Sequence, residues 1–289
     1  MSIQLIQKRL VEYKCKTKEA EFNALKEIVQ EIALCALSRT EFFKQAAFMG
    51  GTCLRIVHDL PRFSEDLDFA LVSKDTAFRW EPLLHRLALE FEAYDLQLET
   101  KDRSEASTAV KKAFLKEGSF GKVLELNYDR NGADSKKIVI KLEVDTNPPL
   151  GACYESKMVR FPFPFSIRAH DLPTLCGGKC LAILLRKYVK GRDWFDLLWY
   201  IARKTAINFS LVSSGLNESG PWKGQDIEIT STWMKEALHN KIDTIDFEQA
   251  RQEVRPFLSG IYLQSLDSWS PEFFHANIDL FLQTAEESR

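Results

Sequence analysis

The feature that most constrains the fold of this chain is a change in the spacing of its apolar residues near Asp171. Before this point, short segments alternate apolar and polar residues, which is the two-residue period of a half-buried β-strand. After it, apolar residues recur every three or four positions, as in amphipathic helices. Strands followed by helices predict an α+β fold, with a mixed β-sheet core and flanking helices over residues 1–170 and a helical region over residues 171–289.

The same periodicities predict the individual elements. In the first part we expect helices over residues 1–47 and about six strands. The strand predictions include residues 46–49, 66–72, Leu96–Thr100, Lys122–Tyr128 and Lys137–Asp145, with an Asn131-Gly132 turn before the last of these and an extended edge segment at 158–169. Two helices between these strands are predicted at 52–60, capped by Thr52 and ended by Pro61, and at Thr76–Tyr94. In the second part we expect helices at Pro173–Tyr188, Trp194–Lys204, Thr232–Asn240, Phe247–Leu258 and Pro271–Glu287, and a polar loop at 213–224.

Composition argues for an ordinary soluble protein. The 289 residues are 45% hydrophobic and 28% charged, and the net charge of −2 carries no global signature of nucleic-acid binding. The six cysteines are scattered without zinc-site spacing, and the first residues lack the apolar segment of a signal peptide. We therefore expect a reduced, cytoplasmic protein that does not enter a membrane.

Gly50, Gly51 and Thr52 lie between a predicted strand and the start of a predicted helix. Two glycines let the backbone approach a ligand closely, and the exposed N–H groups of a helix start favour an anion such as a triphosphate. The Thr52 hydroxyl could cap the helix or contact a phosphate oxygen. An ordinary strand–turn–helix connection explains the same residues, so this segment alone does not identify a site.

Asp66 and Asp68 follow a few residues later. Residues i and i+2 of a strand point to the same face, so the two carboxylates should lie side by side while Leu67 and Phe69 face the core. Two such charges repel each other unless a cation lies between them, and hard oxygen ligands suit Mg²⁺ or Mn²⁺. The alternative is a solvated polar face, although aspartate is uncommon in strands.

A third carboxylate is available on the predicted strand at 137–145. Lys141, Glu143 and Asp145 share one face of it, and the residues between them share the other. Such a carboxylate would complete a two-metal site for in-line phosphoryl transfer, and Lys141 could contact a phosphate. Glu143 is the first choice because it lies in the middle of the strand, and Asp145 remains open. Alternating charge on a half-exposed strand is the competing interpretation.

Together, the Gly-Gly-Thr segment and Arg62–Phe69 resemble the AbiEii/AbiGii toxin family of the DNA-polymerase-β-like nucleotidyltransferase superfamily. Thr52 stands where this family usually has serine. The strand from Lys141 to Asp145 is similar to the second family motif, and Lys179–Asp196 is similar to the segment that carries its third and fourth motifs. Thr174 stands where the family often has glutamate.

The resemblance implies a nucleotidyltransferase-type core over residues 1–170 and transfer of a nucleotide from an NTP to an acceptor hydroxyl. The acceptor would be RNA, with the tRNA 3′ end as first choice, and the protein would be the toxin of a toxin–antitoxin or phage-defence pair. Its antitoxin would act without a stable complex. The implied metal ligands are Asp66, Asp68 and Glu143 or Asp145; the implied nucleotide contacts are Gly50, Gly51, Thr52, Arg62, Ser64 and Lys141; Lys179 would contact phosphate and Asp193 would assist near the acceptor.

Four points remain open at this stage. The acceptor could be a small molecule, as in antibiotic-modifying nucleotidyltransferases, or the chain could bind a nucleotide without catalysis. In the helical part, Lys179, Arg186, Asp193 and Asp196 could simply form a salt-bridge network between two helices. A lysine cluster at Lys111, Lys112, Lys116 and Lys122 could meet an RNA backbone or be a solvated surface.

Overall fold

The computed structural model describes residues 2–75, 77–94, 96–102, 119–128 and 136–287. The chain divides into two units, the first made of Met1–Asp59, Phe63–Pro148 and Tyr154–Ala169, and the second of Leu60–Arg62, Pro149–Cys153 and His170–Arg289. The predicted Asn131-Gly132 turn, the predicted helix start at Thr76, and Lys111, Lys112 and Lys116 lie outside the described residues.

The first unit begins with helices α1 (Ser2–Glu12), α2 (Lys18–Ser38) and the short α3 (Phe42–Gln45). Thr17 starts α2, because its side chain accepts a hydrogen bond from the Ala20 N–H at 3.1 Å. Most of α2 is buried, and it packs against α1 and against the sheet. The helices predicted over residues 1–47 are present.

The strands of the first unit are β1 (Ala46–Met49), β2 (Leu67–Leu71), β3 (Gln97–Asp102), β4 (Ser119–Tyr128), β5 (Lys136–Asp145), β6 (Tyr154–Val159) and β7 (Phe165–His170). Helix α4 (Gly50–His58) connects β1 to β2, and α5 (Glu81–Glu92) precedes β3. Within the described residues the strands form one sheet of order β3-β4-β5-β2-β1-β7-β6. β1 is antiparallel to β2 and parallel to β7, and β2 is parallel to β5, so the sheet is mixed.

Side chains on β2 and β5 alternate between the core and the other face of the sheet, as the sequence predicts. Leu67 and Phe69 are buried on β2, as are Ile140, Leu142 and Val144 on β5. The residues between them, Asp68 and Glu143 among them, are half-buried. A mixed sheet with flanking helices confirms the predicted α+β fold.

The second unit is helical. Its helices are α6 (Leu172–Leu185), α7 (Gly191–Ala202), α8 (Phe209–Glu218), α9 (Ser231–Ile242), α10 (Phe247–Val254), α11 (Ile261–Gln264) and α12 (Pro271–Glu287). α6 packs against α7 and α8, α9 packs against α12, and α7 packs against α10. In the part of the chain described, no helix has the length and apolar character needed to span a membrane.

Three predicted elements need correction. The polar loop predicted at 213–224 was wrong over residues 213–218, because α8 covers Phe209–Glu218: Asn208 caps it through the Leu211 N–H at 3.0 Å, and Leu211 and Val212 are buried. Residues 219–224 lie beyond α8. Helix α4 begins at Gly50, so Thr52 lies inside the helix and does not cap it. Helix α5 begins at Glu81, where a proline in the first turn favours a helix start.

Candidate functional site

The acidic residues of the first unit meet on neighbouring strands. β2 and β5 run parallel with Asp68 directly opposite Glu143. Asp66 lies just before β2, two residues ahead of Asp68, and Lys141 lies two residues ahead of Glu143 on β5. The sheet thus brings together carboxylates that are 75 residues apart in the chain.

Asp66, Asp68 and Glu143 form what we call the acidic face of β2 and β5, and Lys141 contributes a positive charge to it. Its amine forms an ion pair with the Glu143 carboxylate. Burial acts to lower the pKa of Lys141, but the hydrogen bond and charge of Glu143, together with the charges of Asp66 and Asp68, outweigh burial and raise it. The Lys141 ammonium is therefore held in its charged form by three carboxylates.

Gly50 and Asp68 are in close contact at the start of α4. Gly50 has a φ of +79°, and a Cβ atom built on it would overlap Oδ2 of Asp68 and lie 3.0 Å from its Cβ. Only glycine has room for this backbone conformation and for the carboxylate at once. The arrangement puts an Asp68 oxygen beside the N-terminus of a nine-residue helix, whose dipole favours negative charge.

Thr52 fixes the backbone at the entry to β2. Its side chain is fully buried, and its hydroxyl donates to the carbonyl oxygen of Asp66. A hydroxyl has a single hydrogen, so Thr52 cannot also donate to a phosphate oxygen in this arrangement. Thr52 links the first turn of α4 to the residue that carries the first carboxylate of the motif.

Glu143 and Asp145 differ in their surroundings. Glu143 lies opposite Asp68, whereas Asp145 lies opposite Ala70 at the end of β5. An Asp145 carboxylate oxygen accepts from the Asn147 N–H at 3.0 Å, as is common where a strand ends in a turn. The register therefore favours Glu143 as the partner of Asp66 and Asp68.

The carboxylates of Asp66, Asp68 and Glu143 can be compared with the ligands that a metal ion requires. Among the side chains described, no group of three or more His, Cys, Asp or Glu residues is already placed to hold a metal. Glu143 is engaged by Lys141, and Asp66 and Asp68 are the other two carboxylates of this face. Mg²⁺ is commonly bound through one or two carboxylates plus substrate phosphates. The chemistry of this pair fits a metal that arrives with a nucleotide better than a closed protein site.

The loop before β2 is held by α2. The Gln30 side-chain amide donates to the carbonyl oxygens of Ser64 at 3.3 Å and Glu65 at 2.8 Å, and Lys26 pairs with Glu65 at 3.1 Å. Ser64, predicted to contact a nucleotide, thus lies in a loop whose backbone is fixed by buried Gln30. Sequence reasoning missed Gln30, although a polar residue between buried apolar neighbours of a helix is a usable signal.

Arg62 lies in the second unit and is buried. Its guanidinium donates to both carboxylate oxygens of Asp196, from Nε at 2.6 Å and from Nη2 at 2.7 Å. The side chains of Arg62 and Asp196 are 3% and 0% exposed. A guanidinium bound in this bidentate way is occupied by its own protein, which is at odds with the predicted nucleotide contact.

Lys179 and Asp193 continue the same network. The Lys179 amine lies 2.7 Å from carboxylate oxygens of both Asp193 and Asp196, and Arg186 lies 3.0 Å from Asp193. Burial acts to raise the pKa of Asp193, but the charges of Lys179 and Arg186 outweigh it and hold that pKa well below its usual value. Burial acts to lower the pKa of Lys179, but the two aspartates outweigh it and raise it. The salt-bridge network considered from the sequence is present between α6 and α7.

A comparison with protein families identifies the chain. A model of the AbiEii nucleotidyl transferase toxins of type IV toxin–antitoxin systems matches residues 32–273. The chain belongs to this family, which confirms the resemblance seen in the motifs. A comparison with curated proteins gave no match.

Solved structures share the fold. The chain is similar to JHP933 from Helicobacter pylori, with a TM-score of 0.51 and 15% sequence identity over 92% of each chain. It is also similar to a candidate nucleotidyltransferase from H. pylori, with a TM-score of 0.46 and 14% identity over 90% of this chain and 92% of the other. At these identities the likeness to JHP933 concerns the fold alone.

Proposed function

We propose that the protein is a metal-dependent nucleotidyltransferase that transfers a nucleoside monophosphate from an NTP to an RNA hydroxyl, with the tRNA 3′ end as the expected acceptor. One observation carries the proposal: Asp68 lies opposite Glu143, two residues after Asp66 and against Gly50 at the start of α4. This combines paired carboxylates with a helix start that favours anions. The family supplies the nucleotidyltransferase class.

The first unit would bind the NTP. The N–H groups at Gly50 and Gly51 begin α4 and suit the phosphates, and Lys141 adds a positive charge on the neighbouring strand. Asp66 and Asp68 would hold Mg²⁺ or Mn²⁺, with Glu143 joining if its bond to Lys141 opens. When bound, the metal supplies charge neutralisation at the phosphates and at the leaving group.

In the transfer step, the acceptor hydroxyl oxygen forms a bond to the α-phosphorus of the NTP. The bond from the α-phosphorus to the oxygen that bridges the α- and β-phosphates breaks, and pyrophosphate leaves with that oxygen and its electron pair. We assign the hydroxyl proton to the Glu143 carboxylate, because Glu143 lies opposite Asp68 whereas Asp145 lies opposite Ala70 at the end of β5. The residues of the chain thus orient the phosphates of the NTP and remove one proton from the acceptor hydroxyl.

In the second unit, we assign a phosphate contact to Lys179 and an orienting role to Asp193. The cations Arg62, Lys179, Arg186 and Lys190 outnumber the carboxylates of Asp193 and Asp196. Burial, the largest influence, lowers the pKa of Lys190. An anion close to these residues would relieve the repulsion among their charges. This excess of positive charge supports a polyphosphate or RNA ligand over a neutral acceptor.

The proposed partner is an antitoxin that opposes this activity without a stable complex with the toxin. The family consists of toxins from type IV toxin–antitoxin systems, which supports the existence of an antitoxin partner. The lack of a stable complex between the two proteins is part of the proposal. Co-purification from cells that express both proteins tests this, and a complex that survives gel filtration contradicts it.

The deciding experiment incubates the protein with each α-³²P-labelled NTP, Mg²⁺ and total bacterial RNA. Asp66→Asn and Asp68→Asn remove a charge without changing size, and Asp75→Asn is the matched control because Asp75 is exposed and keeps its acceptor for the Ala77 N–H. We expect labelled RNA with wild type and the control, and at least about a hundredfold less with either variant.

Other outcomes separate the alternatives. Wild-type labelling by both variants would show that Asp66 and Asp68 are not required. Label that enters small molecules, with none in RNA, identifies a small-molecule nucleotidyltransferase. Nucleotide binding without transfer to any acceptor indicates a non-catalytic module.

A further inference from the structure

A groove with a positively charged rim lies in the first unit, between the end of α1 and the start of α2. It encloses about 560 Å³, and its lining combines apolar residues of α1 with Lys14, Lys16 and Lys18. Beside these three lysines, the only carboxylate of the lining is that of Glu21. The groove therefore carries an excess of positive charge on a chain whose net charge is −2.

The three lysines of this groove are not neutralised by the protein. All three are exposed, and in the part of the chain that the structure describes their amines form no ion pair. Other lysines of the same unit differ, since Lys26 pairs with Glu65 at 3.1 Å and Lys157 pairs with Glu155 at 3.0 Å. Three ammonium groups within five residues of chain repel one another, and a bound anion would remove that repulsion.

The backbone that carries these lysines has a defined shape. The Tyr13 N–H donates to the Leu10 carbonyl oxygen at 3.2 Å, and the Lys14 N–H donates to that of Val11 at 3.1 Å. Lys14 has a φ of +49°, a left-handed conformation that turns the chain between the two helices. Thr17 fixes the other end of this turn, because it caps α2. The lysines are thus presented on a turn that is held at both ends.

The groove is close to the loop that carries Asp66. Tyr13, which immediately precedes Lys14, stacks its ring on the ring of Phe63, with the ring centres 6.3 Å apart and 27° between the ring planes. Phe63 is three residues before Asp66, and three residues span at most about 11 Å. A polymer that reaches the acidic face can therefore contact the groove at the same time.

The arrangement of the charges indicates the kind of anion. A pocket for a small ligand places a few polar groups so that they converge on it in a largely enclosed space. Here the donors are exposed lysines along an open groove, and lysine acts toward phosphate as a point charge on a flexible stem. Such contacts suit a nucleic-acid backbone, whose phosphates repeat along the strand and are bound irrespective of base sequence.

We propose that Lys14, Lys16 and Lys18 bind backbone phosphates of the acceptor RNA while its reacting end lies at the acidic face. The inference rests on the proposed function for the identity of the polymer, and it adds the surface that holds the RNA. No bond is made or broken at the groove. Because the contacts are electrostatic, binding should weaken steeply as the salt concentration rises.

The test measures binding of fluorescently labelled bulk bacterial tRNA to the full chain by fluorescence anisotropy. The KCl concentration is varied from about 50 to about 200 mM, without NTP or divalent metal. The groove variant is Lys14→Gln/Lys16→Gln/Lys18→Gln. The matched control removes the same charge from exposed lysines that do not line the groove: Lys74→Gln/Lys204→Gln/Lys223→Gln.

We expect the groove variant to bind tRNA at least about tenfold more weakly at low salt. The slope of log affinity against log salt should become less steep by about two to three, since three phosphate contacts are lost. The control should stay within about threefold of wild type, because salt screens charges outside the contact surface. In the transfer assay, the groove variant should raise the KM for tRNA and keep kcat at saturating tRNA, since these lysines hold the RNA and do not touch the reacting atoms.

Three results would overturn the proposal. Equal tRNA affinity and salt dependence in wild type and the groove variant is one, and it is the result expected if an acidic protein occupies the groove. An equal loss in the control is the second, because binding would then respond to total charge. The third is wild type that does not bind tRNA. Since NTP and metal are absent, this measurement is separate from the labelling experiment that tests nucleotide transfer.

Discussion

The carboxylate of Asp68 occupies the space where a side chain at Gly50 would begin, and the Gly50 backbone has a φ of +79°. Asp68 is the second carboxylate of the Asp66–Asp68 pair and faces Glu143 across two parallel strands. The glycine that begins α4 is therefore part of the packing of a candidate metal ligand. A side chain at position 50 would have to displace that carboxylate.

Gly50→Ala should reduce both stability and transfer. The left-handed backbone and the overlap with Asp68 together should lower the free energy of unfolding by about 2 to 4 kcal/mol. Gly224→Ala is the matched control, because Gly224 has a φ of +73° and open space where its Cβ would lie. We expect the control to lose about 1 kcal/mol in urea unfolding and to keep its activity. Equal losses in both variants would show that the Asp68 contact does not matter.

Lys141→Met should increase metal affinity while it reduces transfer. The Lys141 ammonium lies in the field of Glu143, Asp66 and Asp68, so it competes with a metal ion for the same carboxylates. Without it, we expect Mn²⁺ to bind about tenfold more tightly in the absence of nucleotide, measured by electron paramagnetic resonance. Lys157→Met is the control, since Lys157 is half-buried and pairs with Glu155 at 3.0 Å. Unchanged Mn²⁺ affinity in Lys141→Met would argue against metal binding at this face.

Arg62→Met should destabilise the second unit. Removing the guanidinium leaves Asp196 buried with Lys179 as its remaining charged partner, which should cost about 3 kcal/mol of unfolding free energy. Arg86→Met removes an exposed arginine and should change stability by less than about 0.5 kcal/mol. Urea unfolding and the KM for NTP are measured together. Unchanged stability with a raised KM would restore the nucleotide contact predicted from the sequence.

Glu31 should make stability depend on pH in an unusual direction. Its pKa is raised from 4.5 to about 7 in the folded protein, so its contribution is present below about pH 4.5 and is lost as pH rises through 7. Glu31→Gln mimics the protonated form and should gain about 3 kcal/mol relative to wild type between pH 4 and pH 8. Urea unfolding across this range measures the difference. Glu19→Gln should show no such trend, and a flat difference for Glu31→Gln would contradict a raised pKa.

The local elements of the site could be predicted from the sequence. Alternation alone placed Asp66 and Asp68 at β2 and Lys141 and Glu143 on β5, because the side-chain period of a strand is fixed by its backbone. The start of α4 was placed two residues late, since Thr52 is a good cap by type while the actual start uses the positive φ of Gly50.

Long-range relationships could not be predicted in the same way. The alignment of Asp68 with Glu143 depends on which strands become neighbours in the sheet, and no local sequence pattern predicts strand pairing. Arg62 stands beside the acidic motif in the chain, yet its guanidinium is bound by Asp196, 134 residues away. Buried polar groups on α2, such as Glu27, Gln30 and Glu31, have partners on separate elements that periodicity does not reveal.

The register between the parallel strands β2 and β5 determines both which residues pack in the core and which carboxylates lie on the acidic face. A shift of β5 by one residue would turn Glu143 into the core and bring Leu142 or Val144 to the polar side. An insertion or deletion within β5 would thus remove the carboxylate partner of Asp68 and the apolar packing in a single event. Inactive variants of the toxin that stay folded should therefore arise from substitutions on this strand, whereas changes in its length should yield protein that is both inactive and unfolded.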